Sequence, residues 1–170
     1  MIRSLRADEI EAILAIINDA AQAYCGVIPA DCWHEPYMSY QELESELRAG
    51  VNFWGYEGYG RVVGVMGRQD LGEVILIRHA YVDPTWQRRG IGNKLLDHLL
   101  TGLSRPVLVG TWAAAHWAVC FYEKNGFTLV SHQEKERLLR TYWTISPRQI
   151  ETSVVLARGL LQAGADGSPG

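Results

Sequence analysis

Three observations predict an α/β fold of the α+β type, with a mixed, mostly antiparallel sheet carrying helices on both faces. Two amphipathic helical patterns precede a hairpin and a long apolar strand, helices and strands then alternate toward the C-terminus, and each apolar run keeps one clear period. At 170 residues with 48% hydrophobic content, the chain suits one domain with a sizeable core, expected over residues 1–158. The Gly- and Ala-rich segment 159–170 is expected to be a flexible tail.

The elements follow in order. Asp8 and Glu11 have capping-box spacing, and Ile10, Ile13, Leu14 and Ile17 mark one apolar face, which predicts a first helix over 8–23. Ser39 with Glu42 repeats the device for a second helix carrying Leu43 and Leu47 and ending near Gly50. Runs 51–56 and 61–66 flank Glu57-Gly58-Tyr59-Gly60 and read as a hairpin, and a long strand from Val74 to Val82 extends it. Ile91, Leu95, Leu96, Leu99, Leu100 and Leu103 lay a helical stripe on the sheet, and 106–110 is a short fifth strand. Ala114, Trp117, Ala118, Phe121 and Tyr122 recur at helical spacing before Asn125-Gly126, then 127–130 and 150–156 read as strands. Segment 131–148 places Leu138, Leu139, Tyr142 and Trp143 at helical spacing, as a wall of a site, a partner surface for a homodimer, or a short helix packed on the sheet.

Composition excludes several classes. No apolar run reaches the roughly 18 residues that cross a bilayer. Asp8, Glu9 and Glu11 interrupt any secretory h-region, so the expected location is cytoplasmic, with no membrane partner. Cys25, Cys32 and Cys120 lack zinc-site spacing and are expected to be reduced thiols, at least partly buried, with no metal bound. A net charge of −3 argues against a nucleic-acid partner. Trp54, Trp86, Trp112 and Trp117 are read as packing residues.

The chemistry concentrates after the long strand, where Asp83-Pro84-Thr85-Trp86-Gln87-Arg88-Arg89-Gly90-Ile91-Gly92 leads into a helix. Gly90 and Gly92 admit close backbone approach, and the unpartnered first amides of the helix carry partial positive charge, so the loop is an anion cradle fitted to a phosphate or pyrophosphate. Its bland alternative is a solvated basic turn. Asn93 between Gly92 and Lys94 breaks a Walker A loop, and Leu95 occupies the third glycine of a dinucleotide fingerprint.

Gln87-Arg88-Arg89-Gly90-Ile91-Gly92 after a strand ending Tyr81-Val82 resembles the acyl-coenzyme A loop of the GNAT superfamily of N-acetyltransferases. Ala118-x-x-Phe121-Tyr122-Glu123-Lys124-x-Gly126-Phe127 resembles the C-terminal signature helix of the same superfamily, about thirty residues on and in the right order. The resemblance covers residues 1–158. It implies the GNAT fold, a six- to seven-stranded sheet splayed between the fourth and fifth strands, with acetyl-coenzyme A as cosubstrate and an amine as acceptor.

Carried over by residue, the resemblance implies that the amides of Gln87 to Gly92 take the pyrophosphate, with Arg88 and Arg89 adding charge-assisted contacts. Tyr81, Ile91, Asn93 and Lys94 complete the expected cofactor set. Val82 matches the position whose N–H meets the thioester carbonyl, and Tyr122 the tyrosine that stands near the coenzyme A sulfur. Tyr122 is otherwise one more core aromatic. The asparagine that the family often places seven residues before this tyrosine is Ala115 here, so that contact is absent or His116 replaces it.

The implied reaction is direct attack of a primary amine on the thioester through a tetrahedral intermediate, with no acyl-enzyme. A lysine-type amine of pKa near 10.4 is about one part in 10³ neutral at pH 7, so freeing the nucleophile costs roughly 4 to 5 kcal/mol without help. The family often holds a Glu or His at positions corresponding to Leu76 and Arg78, and neither is a base here. His79 is the nearest imidazole, on the wrong face under strict alternation unless a bulge re-aims it. Glu73, His34 and water are rivals, and Arg78 is a candidate to bind an acidic group on the acceptor. The segment from Tyr24 to Met38, between the first two helices, is expected to wall the acceptor site with aromatics that shape an apolar cleft, among them Trp33, His34 and Tyr37. Beside an N-acetyltransferase of a small molecule or protein stands the alternative of a catalytically weak acyl-coenzyme A-binding regulatory or interaction module.

Overall fold

The computed structural model describes residues 1–159. Residues 160–170, and with them nearly all of the expected tail, lie outside the described residues. A seven-stranded sheet of order β1-β2-β3-β4-β5-β7-β6 organises the chain. The strands are β1 (Ile2–Ser4), β2 (Val51–Gly58), β3 (Arg61–Asp70), β4 (Ile75–Val82), β5 (Val107–Trp112), β6 (Thr128–Leu129) and β7 (Ser153–Arg158). All pair antiparallel except β4 with β5, which run parallel. The mixed sheet with helices on both faces is the predicted class.

Among the described residues six α-helices cover the sheet: α1 (Ile10–Ala21), α2 (Tyr40–Arg48), α3 (Ile91–Leu100), α4 (His116–Lys124), α5 (His132–Tyr142) and α6 (Pro147–Thr152). On one face, Leu95, Leu96 and Leu99 of α3 and Tyr122 of α4 pack against Val63, Met66, Ile75 and Ile77. On the other, Ile13 and Ile17 of α1 and Leu43 of α2 meet Val51, Phe53 and Val65, while Leu138 and Leu139 of α5 cover Leu76, Leu108 and Val155. The segment 131–148 thus buries its apolar stripe on the sheet. Among the described residues no helix is long and apolar enough to cross a membrane.

Several boundaries differ from expectation for local reasons. The first helical segment is a short 3-10 turn over Ala7–Glu9, then α1, then a second turn over Gln22–Tyr24. Its start is closed by Glu9, whose carboxylate accepts the Arg6 N–H at 2.7 Å, rather than by Asp8 with Glu11. Ser39 does cap α2, accepting from Glu42 N–H at 3.1 Å. The strand expected over 150–156 starts at Ser153, because Ser146-Pro147-Arg148-Gln149 is a capping box with proline at the first helical position and winds residues 147–152 into α6. β1 follows from pairing with β2, Arg3 opposite Gly55; three residues are too few to show a period.

Leu76 is fully buried between β4 and the α5 layer. Leu76→Ala is expected to lower unfolding free energy by about 2–5 kcal/mol in urea titration; a loss under about 1 kcal/mol would show that the α5 layer does not close over the sheet.

Candidate active site

Between β4 and β5 the sheet opens. Their parallel register ends at Ile77 with Val109. β4 then continues to Val82 against β3 alone, while β5 runs on to Trp112 against β7. In the β3–β4 register Gly67 faces Arg78 and Val65 faces Tyr81, so Met66 is opposed by both His79 and Ala80, a β-bulge. His79 takes a left-handed φ of 55°, unusual for a non-glycine residue. Gly67 makes room opposite, since a Cβ there would lie 2.9 Å from the Arg78 carbonyl oxygen.

Asp83 N–H donates to Val63 O across β3 at 2.8 Å. Main-chain groups alternate edges along an antiparallel strand, so Val82 N–H and C=O face the edge that β5 has left. Gln87 Nε2 reaches that Val82 oxygen at 3.2 Å. The loop then passes through Arg88 (φ 65°) and Gly90 (φ 76°), both left-handed, into α3. From Gln87 to Asn93 no main-chain N–H donates a hydrogen bond among the described residues; Lys94, bonded to Gly90 O at 3.0 Å, is the first that does. The loop is a cradle of outward-facing amides. Gly92 lets α3 approach α4, where a Cβ would sit 3.3 Å from the Phe121 ring.

A cavity of about 540 Å³ runs inward from this loop. Of the expected residues, Tyr81, Val82, Gln87, Arg88, Gly90, Ile91, Gly92, Asn93 and Tyr122 line it. Arg89 and Lys94 do not; the Arg89 guanidinium lies 4.6 Å from the Trp86 ring centroid and the Lys94 ammonium 5.7 Å from that of Tyr56. His116 is exposed at the first turn of α4, away from the lining. Tyr122 is buried, and its hydroxyl donates to no protein group among the described residues. Burial, with the nearby Tyr24 phenol adding to it, pushes the Tyr122 pKa upward, so it stays a neutral donor.

The acceptor-side residues Trp33, His34, Tyr37 and Arg78 fall outside the lining. Trp33, Tyr37 and His34 form a stack, with centroids 6.0 Å and 6.3 Å from Tyr37, and Tyr37 accepts from Trp112 Nε1 at 2.7 Å. Arg78 is engaged, donating to Glu46 Oε1 at 2.8 Å and Gln69 Oε1 at 3.1 Å. The bulge is present and turns the His79 ring to the Arg78 side, where it stacks 6.1 Å from Phe53 and pairs with Glu46, outside the cavity lining. Among the described residues, Glu46 Oε2 and His79 Nε2 have no partner apart from each other.

Other aromatics take the places that sequence reasoning assigned elsewhere. Trp86 and Trp117 line the cavity, whereas Trp112 is buried and Trp54 lies under Arg68. Of the aromatics in the segment expected to wall the acceptor site, Tyr24 does line the cavity, carried there by the turn after α1. The i, i+4 pair Trp117 and Phe121, beside Ala118 and Tyr122, was the available signal for Trp117. Cys25 and Cys120 are exposed rather than partly buried, because Cys25 begins a turn and Cys120 lies on the outer side of α4; Cys32 is intermediate. Among the described residues no group of three or more His, Cys, Asp or Glu could hold a metal ion.

A family model described as an acetyltransferase (GNAT) domain matches residues 15–141, well over half of the chain. The chain belongs to the GNAT acetyltransferase family. This GNAT protein is therefore an acyltransferase. Its fold is similar to that of a GNAT-family acetyltransferase from Staphylococcus aureus (TM-score 0.70, 18% identity, covering 93% of this chain and 97% of that one). It is also similar to the PaiA N-acetyltransferase from Thermoplasma acidophilum, solved in complex with coenzyme A (TM-score 0.67, 16% identity, 93% and 97% covered). A ribosomal-protein-alanine N-acetyltransferase from Brucella melitensis gives TM-score 0.64 at 19% identity, with 93% and 98% covered. No curated relative matches the GNAT chain in sequence.

Burial pushes the Glu46 pKa up, but the His79 bond and the charges of His79 and Arg78 outweigh it and leave the carboxyl below its ordinary value. That stabilisation is present above the carboxylate range and is lost as pH falls through that range toward the depressed folded value. Glu46→Gln is expected to cost about 1–3 kcal/mol near neutral pH, a difference that shrinks on acidification. A pH-independent difference in denaturation midpoints would contradict the ion pair.

Proposed function

We propose that this GNAT domain, residues 1–158, is an N-acetyltransferase that moves an acetyl group from acetyl-coenzyme A to a primary amine by direct attack. The observation that carries the reading is the continuity of the site: free amides at residues 87–93, the open edge at Val82 and the buried phenol of Tyr122 lie along one cavity. The amides and Arg88 suit a diphosphate. The widened β4–β5 edge suits an extended arm that bonds to main chain, as the free orientation of Val82 N–H allows. The cosubstrate supplies an acetyl group activated as a thioester.

The residues then have distinct tasks. Val82 N–H faces the site where negative charge develops on the carbonyl oxygen, and a preorganised amide there is worth several kcal/mol. Tyr122, kept protonated by burial, donates a hydrogen bond or its proton to the departing thiolate. The cavity lining contains no Asp, Glu or His. The acceptor ammonium is instead deprotonated through desolvation, since an apolar cavity disfavours its charged form, with water carrying the proton away. His79, held against Glu46, is left out of proton transfer.

A second reading, a regulatory module that binds acyl-coenzyme A without turnover, is favoured by that same lack of a lining base. Thiol release from acetyl-coenzyme A across a panel of amines separates the two; binding without release selects the module.

Tyr122→Phe is expected to lower turnover roughly 10²-fold with little change in coenzyme A affinity by calorimetry. An unchanged rate removes Tyr122 from the chemistry. With no titrating base in the site, kcat/KM is expected to rise about tenfold per pH unit toward the pKa of the amine. A plateau that disappears in His79→Asn would instead make His79 the base.

A further inference from the structure

The cavity has two chemically different ends. Its outer end is the amide loop with Arg88. Going inward, Gly92 abuts Phe121, the Phe121 ring meets Tyr122 at 5.0 Å between centroids, and Tyr122 lies near enough to Tyr24 for that phenol to raise its pKa. Beyond Tyr122 the walls are Tyr24, Tyr81 and Trp117 with Ala20, Ala23 and Val65. Ala23 is exposed and Trp117 is 48% exposed, so this end reaches the surface and gives an acceptor its own entrance.

From this lining we infer that the acceptor is an apolar, preferentially aromatic monoamine, a primary amine on an aryl-alkyl skeleton with no carboxylate and no second ammonium. The inference rests on the acetyltransferase reading above.

Among the described residues, Arg88, at the loop, is the one formally charged side chain in the lining. The nearest charged groups on the far side of β4 are already paired: Arg78 with Glu46 and Gln69, and His79 with Glu46. A carboxylate on the acceptor therefore meets no cation beyond Tyr122, and a second ammonium meets no anion. Burying either unpaired ion is heavily penalised. An aryl group meets rings arranged to receive it. Tyr24 stacks on Trp117 at 6.0 Å and 23°, and meets Tyr81 edge-on at 6.3 Å and 73°. These π faces attract an ammonium before it loses its proton. The Tyr24 hydroxyl donates to that of Tyr81 at 3.3 Å, and burial raises both pKa values, so these rings present neutral phenols. In the transfer, water takes one proton from the ammonium, the amine nitrogen forms the new C–N bond, the C–S bond breaks, and the second proton shed by the nitrogen ends on the departing thiolate, restoring the Tyr122 phenol where that has donated first.

The test compares 2-phenylethylamine, phenylalanine and spermidine at saturating acetyl-coenzyme A, reading thiol release. Phenylalanine differs from the first only by a carboxylate, and spermidine brings additional ammonium groups. The expected kcat/KM for 2-phenylethylamine exceeds both others by about 100-fold or more, the scale of an unpaired buried charge. Equal or better turnover of phenylalanine or spermidine overturns the inference. If no amine releases thiol, calorimetry on protein saturated with coenzyme A decides: selective binding of 2-phenylethylamine keeps the inference while acetyl transfer fails, and binding of none or of a charged competitor overturns it. Trp117→Ala is expected to raise KM for 2-phenylethylamine about tenfold with kcat nearly unchanged, and Trp117→Phe to restore it. An unmoved KM in Trp117→Ala removes the aromatic wall from acceptor binding.

Discussion

The parallel pairing of β4 with β5 lasts only from Ile75 to Ile77, and the way the two strands part governs the site that follows. A parallel sheet normally spends every main-chain group on its neighbour. Here β5 stays paired with β7 along its whole length but parts from β4 after Val109, which leaves the far edge of β4 without a strand partner. That edge is affordable only because the cavity and its mouth give those groups an alternative to protein partners. The bulge at His79 and Ala80 adds curvature at the point of parting and puts Val82 in register to face the gap.

Polar groups are sorted around that edge. Behind β4, Glu46 gathers Arg78 and His79 into a half-buried cluster that holds the left-handed His79 in place. In front, the lining is aromatic and aliphatic until the loop, where Arg88 and seven residues of unpartnered amide stand ready for an anion. The division explains how one cavity can suit a diphosphate at one end and an apolar amine at the other. It also leaves the His79 imidazole paired with Glu46 and outside the cavity lining.

Local chemistry was legible in the sequence wherever a few residues decide the structure. The Gly90 and Gly92 loop, the Ser39 cap and the apolar stripe of α3 depend on neighbours along the chain, and each appears as read. The helix α6 carried its own signal in Ser146, Pro147 and Gln149, but the strand expected from Ile150 overlaps its last turn, because Ile150 and the β-branched residues after it read as one run. Side-chain destinations were harder. Arg78, His79 and Glu46 lie 32 or 33 positions apart and meet only through the packing of α2 on the sheet, so no spacing rule could link them. Tyr24 and Trp117 likewise stack across 93 positions, and that contact, more than any motif, shapes the inner end of the site.

Cofactor binding of the kind proposed depends on the free amides of one loop and one strand edge meeting a diphosphate and its attached arm. Amide resonances in a ¹⁵N–¹H correlation spectrum, followed as coenzyme A is added, test this directly. Saturable shifts concentrated at residues 87–93 and at Val82 are predicted. Shifts that spare those amides, while coenzyme A binds elsewhere or not at all, would contradict it.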